Sequence, residues 1–305
     1  MSSPNEIRVL FDVDIDEHLD MATLVEVCRV AVDADTAGRL VAPPRHGVDF
    51  GTGRLVFTTG GLDDTIGFRA YDTFPGSRQD QVVAVWDRSA GVLRGVVIGD
   101  QLGALRTGAI GGVAVDRLAP PDATTCAVIG TGRQARTQLL ACDAVRLLTR
   151  VDVFSRSTAS RQGFAEAMTA ELGVDVRPAP DARSAVSEAE IVLVATTSTE
   201  PVLDHRDLRP DAHLNTVGPK FASAHEIDAG TVEGADRIVS DSPQQIAAQG
   251  SDHFLAGGAS MDRIEHLGDV GQMGHRPGRT VFLSAGLAGT EVLVASALLE
   301  AVSPS

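Results

Sequence analysis

Cys126-Ala127-Val128-Ile129-Gly130-Thr131-Gly132-Arg133-Gln134-Ala135 is the stretch whose reading decides the fold: an apolar strand runs into Gly-x-Gly-x-x-Ala and then into the helix-forming run Arg136 to Leu140. Each small residue has a physical task there. Gly130 permits a tight turn, Gly132 lets the backbone approach a pyrophosphate, and Ala135 lets the helix lie against the strand while its N-terminal N–H groups face the phosphates. Thr131, Arg133 and Gln134 fill the remaining positions of the expected cofactor turn. The context that the motif needs is present, with a strand before it, a helix after it and a second strand, Val151 to Phe154, about 20 residues further on.

Outward from this turn, strands and helices alternate. A helix from Thr158 to Leu172 follows the second strand, then the apolar run Ile191 to Ala195, with further strands at His213 to Val217 and Arg237 to Ser240. Strands alternating with helices of about 10–15 residues predict a parallel sheet with right-handed crossovers, a doubly wound Rossmann-type α/β domain. Ligands in such sheets bind at the carboxyl ends of the strands, which places Thr196, Thr197, Val217 and Gly218 under the dinucleotide.

Upstream the pattern differs. Ile7 to Val13 is strand-like, and Asp20 stands where it would cap an apolar helix beginning at Met21. Arg54 to Thr59, Thr65 to Tyr71, Gln81 to Asp87 and Val92 to Ile98 are short runs rich in Val, Phe and Trp, the last two joined through Asp87-Arg88-Ser89-Ala90-Gly91 as a hairpin. They predict an antiparallel sheet. Leu102 to Leu118 is a helix of small residues, broken by Ala119-Pro120-Pro121-Asp122. The expected organisation is a substrate-binding and dimerisation α+β domain over residues 1–120, completed by about 286–305 with the helix Glu291 to Ala301, around a dinucleotide domain over 121–285; the tail Val281 to Val302 is read as a short strand followed by that helix.

The tip of the second Rossmann strand reads Val153-Phe154-Ser155-Arg156-Ser157. A carboxylate at this tip accepts a hydrogen bond from a ribose 2'-hydroxyl, whereas Arg accommodates a 2'-phosphate. No carboxylate stands here. Arg156 offers two N–H groups to a phosphate, and Ser155 and Ser157 donate without repulsion, so NADP(H) is favoured with NAD(H) as the alternative.

Composition narrows the partners. The 305 residues carry 26 Lys+Arg against 41 Asp+Glu, a formal net charge of -15, so a nucleic acid meets repulsion rather than a basic footprint. No apolar run approaches the ~20 residues of a membrane span, and the start lacks a leader pattern, so a cytoplasmic protein is expected. Cys28, Cys126 and Cys142 lie far apart, with neither a metal-ligand spacing nor a disulfide framework, and are read as reduced core thiols. Lys220 is the only lysine of the chain.

Taken together the motifs resemble those of the ornithine cyclodeaminase and mu-crystallin family over most of the chain. Pro43-Pro44-Arg45 resembles its early substrate-arginine segment, Gly67-Phe68-Arg69 its Gly-x-Lys strand, and Leu105-Arg106-Thr107-Gly108-Ala109 the start of its Arg-Thr-Ala helix. Asn215-Thr216-Val217-Gly218 and Glu226-Ile227-Asp228 frame the catalytic loop, and Ser284 to Glu291 resembles a segment ending in Asp near the nicotinamide, here replaced by Glu291. The resemblance implies a Rossmann domain inserted into a dimerising substrate domain, a homodimer, and an amino-acid or imino-acid substrate handled by hydride transfer. It assigns Arg45, Arg69 and Arg106 to the substrate carboxylate, which arginine grips bidentately, and Thr107 and Glu291 to the cofactor.

One departure matters. Where the cyclodeaminases carry an aspartate thought to assist attack by the substrate's side-chain amine, this chain carries Lys220, in Gly218-Pro219-Lys220. An ammonium there repels a second ammonium by roughly a few kcal/mol in a partly desolvated site, which disfavours cyclisation with loss of ammonia. Lys220 fits a general acid, or a partner to a second carboxylate or carbonyl on the substrate. Arg69 keeps the charge of the family's lysine but not its tunable pKa, which suits a clamp better than an acid. His225 stands second in rank for proton transfer. The leading reading is an NAD(P)H-dependent reductase of the C=N bond of an imino acid. The alternatives are a cyclodeaminase-type lyase with bound NAD+ and a non-enzymatic NADPH-binding protein of the mu-crystallin kind.

Overall fold

The computed structural model describes residues 7–271 and 276–302, so the outermost residues of the expected domain limits, 1–6 and 303–305, lie outside it. The chain forms two compact units, one of residues up to Arg106 together with Leu287 onward, the other Thr107–Gly286.

The first unit is built on a six-stranded sheet. Its strands are β1 (Arg8–Phe11), β2 (His46–Asp49), β3 (Arg54–Leu62), β4 (Thr65–Asp72), β5 (Gln81–Asp87) and β6 (Val92–Gly99), with helices α1 (Asp12–His18) and α2 (Met21–Thr36). The order is β1-β6-β5-β4-β3-β2, antiparallel except for the β1–β6 pair. The strand read over Ile7 to Val13 is shorter than expected, because Asp12 already belongs to α1 and its carboxylate accepts the backbone N–H groups of Asp100 and Gln101. Asp20 caps α2 by accepting the Thr23 N–H at 2.8 Å. One face of the sheet is covered by the C-terminal helix of the chain, which buries Val292, Val294, Ala295, Leu298 and Leu299. Each such burial contributes roughly 1.5–3 kcal/mol for the larger side chains. The strand period of two puts Phe11, Ile98, Val82, Ala70 and Phe57, which are register partners in turn, on the other face. That face is apolar and open within the chain, with Val9, Phe11, Val48, Ile66 and Val82 exposed.

The helix α3 (Leu102–Leu118) contains the division between the units. Pro120-Pro121 follows its end, but the compact units separate between Arg106 and Thr107 rather than near residue 120. The cause lies in the small residues that follow Thr107. A Cβ on Gly108 would come within 2.6 Å of the Thr137 carbonyl and one on Gly111 would overlap the Gln138 amide, so this part of α3 packs directly on the first Rossmann helix. Arg146 closes the end of α3, donating to the carbonyls of Val115, Asp116, Ala119 and Pro120.

In the second unit β7 (Thr125–Ile129), α4 (Arg133–Val145), β8 (Arg150–Phe154), α5 (Thr158–Leu172), β9 (Asp175–Pro178), α6 (Ala182–Val186), β10 (Ile191–Val194) and β11 (His213–Thr216) follow in sequence. A two-strand hairpin, β12 (Lys220–Phe221) and β13 (Ala224–His225), precedes α7 (Ala229–Glu233), β14 (Arg237–Ser240), α8 (Pro243–Gln249), β15 (Ile264–His266), α9 (Leu267–Gly271) and β16 (Thr280–Leu283). The large sheet is parallel throughout, in the order β15-β14-β16-β11-β10-β7-β8-β9. Read from β9, its first five strands follow the 3-2-1-4-5 order of dinucleotide-binding sheets, with the topological switch between β7 and β10, and β16, the last strand of the chain, takes the sixth place ahead of β14 and β15. Both faces are covered, which explains why β10 reads Ile-Val-Leu-Val without alternation. The core on one face gathers Val128, Leu139, Cys142, Val151 and Met168, and that on the other Val192, Leu214, Ile227, Ile238 and Val281. The three cysteines are buried, and none of them forms a disulfide among the described residues. The chain ends in α10 (Thr290–Ala301), which belongs to the first unit. Among the described residues no helix is long and apolar enough to cross a membrane.

Candidate active site

The turn after β7 has the geometry that a pyrophosphate requires. Gly130 has φ +114, and any side chain there would strike the Ala195 carbonyl, so glycine is obligatory for backbone reasons. Gly132 is different. It is the N-cap of α4, extended at φ -86 and ψ -177, with no side-chain cap, and a Cβ built on it meets nothing within 4 Å. The first N–H groups of α4 therefore open onto free space in front of a glycine, an arrangement that fits a phosphate. Ala135 is fully buried beneath the turn, while Gly132 and Arg133 are exposed and Thr131 and Gln134 half-buried.

At the tip of β8, Arg156 is exposed. The serines beside it are partly committed. Ser155 donates its hydroxyl to the Ser157 carbonyl at 3.1 Å, and Ser157 caps α5 by accepting the Ser160 N–H at 3.2 Å. Arg161 lies over the Phe154 ring and donates to the Ser155 carbonyl, holding the loop in shape.

The loops after β10 and β11 are tied together by a carboxylate that the sequence reading used only as a frame. Glu226, fully buried, accepts the Thr196 N–H and hydroxyl on one oxygen, both at 2.9 Å, and the Val217 and Gly218 N–H groups on the other. Burial pushes its pKa up, while Lys220 and these donors pull it back. Thr197 is exposed beside this joint. Lys220 is 6% exposed, and its Nζ donates to the Gly218 carbonyl at 3.0 Å. The segment around His253 closes over the hairpin: the Phe254 N–H donates to the Lys220 carbonyl at 3.0 Å, and His225 stacks on the Phe254 ring. His253 is buried, its Nδ1 accepts the Leu255 N–H, and burial and then the Lys220 charge lower its pKa to about 4. It is therefore a neutral donor at physiological pH, and nothing local in its sequence marks it.

In the first unit a charge cluster forms around the C-terminal helix. Arg69 points from β4 to the helix-covered face, with Thr58 and Val83 as its register partners. Its Nη1 lies 3.1 Å from Glu291 Oε1, and Arg106 Nη2 lies 2.9 Å from the same oxygen. Glu291 is 1% exposed. The carboxylate of Glu291, expected near the cofactor, lies between two guanidinium groups, which overcome the opposing effect of burial and hold its pKa below the ordinary value. Two cations and one anion leave the cluster at a formal +1. Arg69 also lies 4.1 Å over the Tyr71 ring, whose hydroxyl accepts from Arg45 at 3.5 Å. The structure thus brings Arg69 and Arg106 into direct partnership and links the exposed Arg45 to them through Tyr71. Thr107, buried in the second unit, anchors through its carbonyl to Gln138 Nε2 at 3.0 Å. Several buried polar atoms of the arginine cluster make no hydrogen bond among the described residues: Arg69 Nε, Arg106 Nε and Nη1, Gln81 Oε1 and Thr58 Oγ1.

The sequence profile of the ornithine cyclodeaminase/mu-crystallin family matches residues 5–304. The chain belongs to this family. Among relatives, the Delta(1)-pyrroline-2-carboxylate reductase of Bacillus thuringiensis subsp. konkukian is 26% identical over 302 residues, covering 92% of this chain and 92% of the relative. The ketimine reductase mu-crystallin of Mus musculus is 30% identical over 220 residues, 71% of this chain and 67% of the relative. Among solved structures, Thermococcus litoralis Delta(1)-pyrroline-2-carboxylate reductase in complex with NADH and L-proline matches with a TM-score of 0.85 at 26% identity, over 96% of each chain. The Gly-x-Gly turn and the loops joined by Glu226 in the second unit, and the arginine cluster in the first, are each candidate binding elements.

Proposed function

We propose that the protein is an NAD(P)H-dependent oxidoreductase that reduces the C=N bond of an imino acid to the corresponding amino acid, or runs the reverse oxidation. The observation that carries this reading is the under-satisfied arginine cluster, a formal +1 with three buried guanidinium N–H positions unused. A substrate carboxylate satisfies those donors and neutralises the charge. Arg69 and Arg106 hold the carboxylate, with Arg45 as a peripheral contact. The turn at Gly130–Ala135 and the loops at Thr196, Thr197, Val217 and Gly218 hold the dinucleotide, and a bound reduced nicotinamide supplies the hydride. Lys220 Nζ donates or relays the proton that the substrate nitrogen takes up. A buried ammonium at this position separates the reading from a cyclodeaminase, whose substrate brings a second ammonium.

Screening cyclic imine carboxylates, and 2-oxo acids mixed with amines, for oxidation of NADPH and NADH tests the proposal. Reduction of at least one imino acid is expected, with Lys220→Ala losing turnover far more than cofactor affinity. Conversion of ornithine to proline and ammonia without added reductant would overturn it.

The exposed Arg156, with no acid in its loop, favours NADPH over NADH. Arg156→Asp is expected to invert the preference by at least tenfold in the ratio of dissociation constants, and an unchanged ratio would remove the 2'-phosphate assignment. The open apolar face of the first sheet supports a homodimer, since a contiguous patch of this kind is costly to leave in water. Light scattering is expected to give twice the chain mass, and Val82→Glu the single mass.

A further inference from the structure

The arginine cluster has an inventory of unused groups that describes its ligand more closely than a carboxylate alone. The unused donors are arginine N–H groups; against them stand an acceptor, Gln81 Oε1, and the Thr58 hydroxyl, all buried and without a hydrogen bond among the described residues. Gln81 is 4% exposed and opens β5, paired with Tyr71 of β4. Two residues along, Val83 pairs with Arg69, so the strand period places Gln81 on the same face as the arginine. Gly103 reports how closely these groups converge. A Cβ built there would come within 2.5 Å of Arg69 Nη2 and 2.8 Å of Gln81 Oε1, so the guanidinium and the amide oxygen reach the same side of the first turn of α3.

A buried acceptor with no donor costs roughly 1–3 kcal/mol, and a site that leaves one open discriminates against ligands that cannot fill it. A simple carboxylate satisfies the arginines but offers nothing to Gln81. We propose that Gln81 is a substrate-binding and specificity-determining residue: its Oε1 accepts an N–H from the nitrogen attached to the α-carbon, while Arg69 and Arg106 hold the carboxylate. The ligand class is then an α-amino or N-protonated α-imino acid, and the residue aligns the C=N bond as well as selecting it. This inference rests on the reading of the arginine cluster as a carboxylate site.

The test is calorimetric titration of the protein with oxidised cofactor present, using L-proline, tetrahydrofuran-2-carboxylate and cyclopentanecarboxylate. These share a ring and a carboxylate, and proline alone carries N–H. Wild type is expected to bind proline at least tenfold more tightly than the other two. Gln81→Leu should bring proline to their level and leave theirs unchanged, and Gln81→Glu, which keeps an acceptor oxygen, should retain the proline preference while weakening all three carboxylates. A general packing defect would lower all three ligands together in Gln81→Leu. A proline preference that survives in Gln81→Leu, or is absent from wild type, overturns the proposal while leaving the carboxylate site standing. Failure of wild type to bind any of the three removes the carboxylate site, and this inference with it.

Discussion

Gly132→Val is expected to lower dinucleotide affinity by more than a hundredfold while leaving the melting temperature within about a degree of wild type. The backbone at this position is extended and adopts no conformation reserved for glycine, and a Cβ there meets nothing within 4 Å among the described residues beyond its chain neighbours. The folded state therefore gives up nothing. The valine side chain, however, fills the space in front of the uncapped N-terminus of α4, where a pyrophosphate would accept several backbone N–H groups and meet the positive end of the helix dipole. Loss of two such charge-assisted bonds, at about 1.5–3 kcal/mol each, corresponds to at least two orders of magnitude in affinity. Gly130→Val serves as the contrasting control. Its φ of +114 and the Ala195 carbonyl against it should make that variant unstable with or without cofactor. Fluorescence titration with NADPH and a thermal melt separate the two effects, and undiminished binding by Gly132→Val would refute the assignment of the turn.

The second large effect is expected at Arg106. Arg106→Met keeps the volume of the stem but removes a cation that lies 2.9 Å from the buried Glu291 carboxylate. The cluster falls from +1 to neutral and loses two of its unused donor positions, so kcat/KM for an imino acid should drop about a thousandfold, or about 4 kcal/mol. Cofactor affinity should change far less, because the proposed dinucleotide contacts other than Thr107 and Glu291 lie in the turn at Gly130–Ala135, the tip at Ser155–Ser157 and the loops at Thr196, Thr197, Val217 and Gly218. Stability should also fall, since breaking a buried ion pair costs about 3–5 kcal/mol. The pH dependence carries a definite sign. In wild type the pKa of Glu291 is below its ordinary 4.5, because Arg106 and Arg69 outweigh burial. Its stabilising contribution is present above that value and is lost as pH falls through the lower, folded-state pKa. Without Arg106 burial prevails and the folded pKa rises above 4.5, so the contribution changes sign: the ionised carboxylate destabilises the variant above that value, and protonation relieves the loss as pH falls. A stability deficit of the variant that does not narrow as pH falls below 4.5, or unaltered kinetics, would contradict the role given to this arginine.

The parts of the fold that could be read from sequence are those with a local cause. The β7 turn, the alternation of strands and helices after it and the Asp20 cap each depend on residues a few positions apart, so their signals survive without tertiary context. The strands β2, β9 and β15 escaped because each is short and draws its pairing from a neighbour already in place. The site divides in the same way. Arg69 and Arg106 are visible as cations in a recognisable order, but their partnership is made by Glu291, which lies more than 180 positions from either. Glu226 was visible only as a frame for its loop, although it holds together the loops after β10 and β11. Gln81 and His253 carry no sequence signal at all, because an unfilled hydrogen bond exists only once neighbouring strands have buried the group.

The insertion of residues 107–286 has a consequence for how the chain is made. At about 5–20 residues per second, a ribosome needs roughly 10–40 s to synthesise that stretch. Throughout the interval the nascent N-terminal sheet lacks α10, so its inner surface has no covering helix and Arg69 and Arg106 have no counter-ion. The contiguous Rossmann unit is free to fold meanwhile, and only the arrival of α10 completes the older half. Chaperone demand during translation should accordingly concentrate on the part of the protein that was made first.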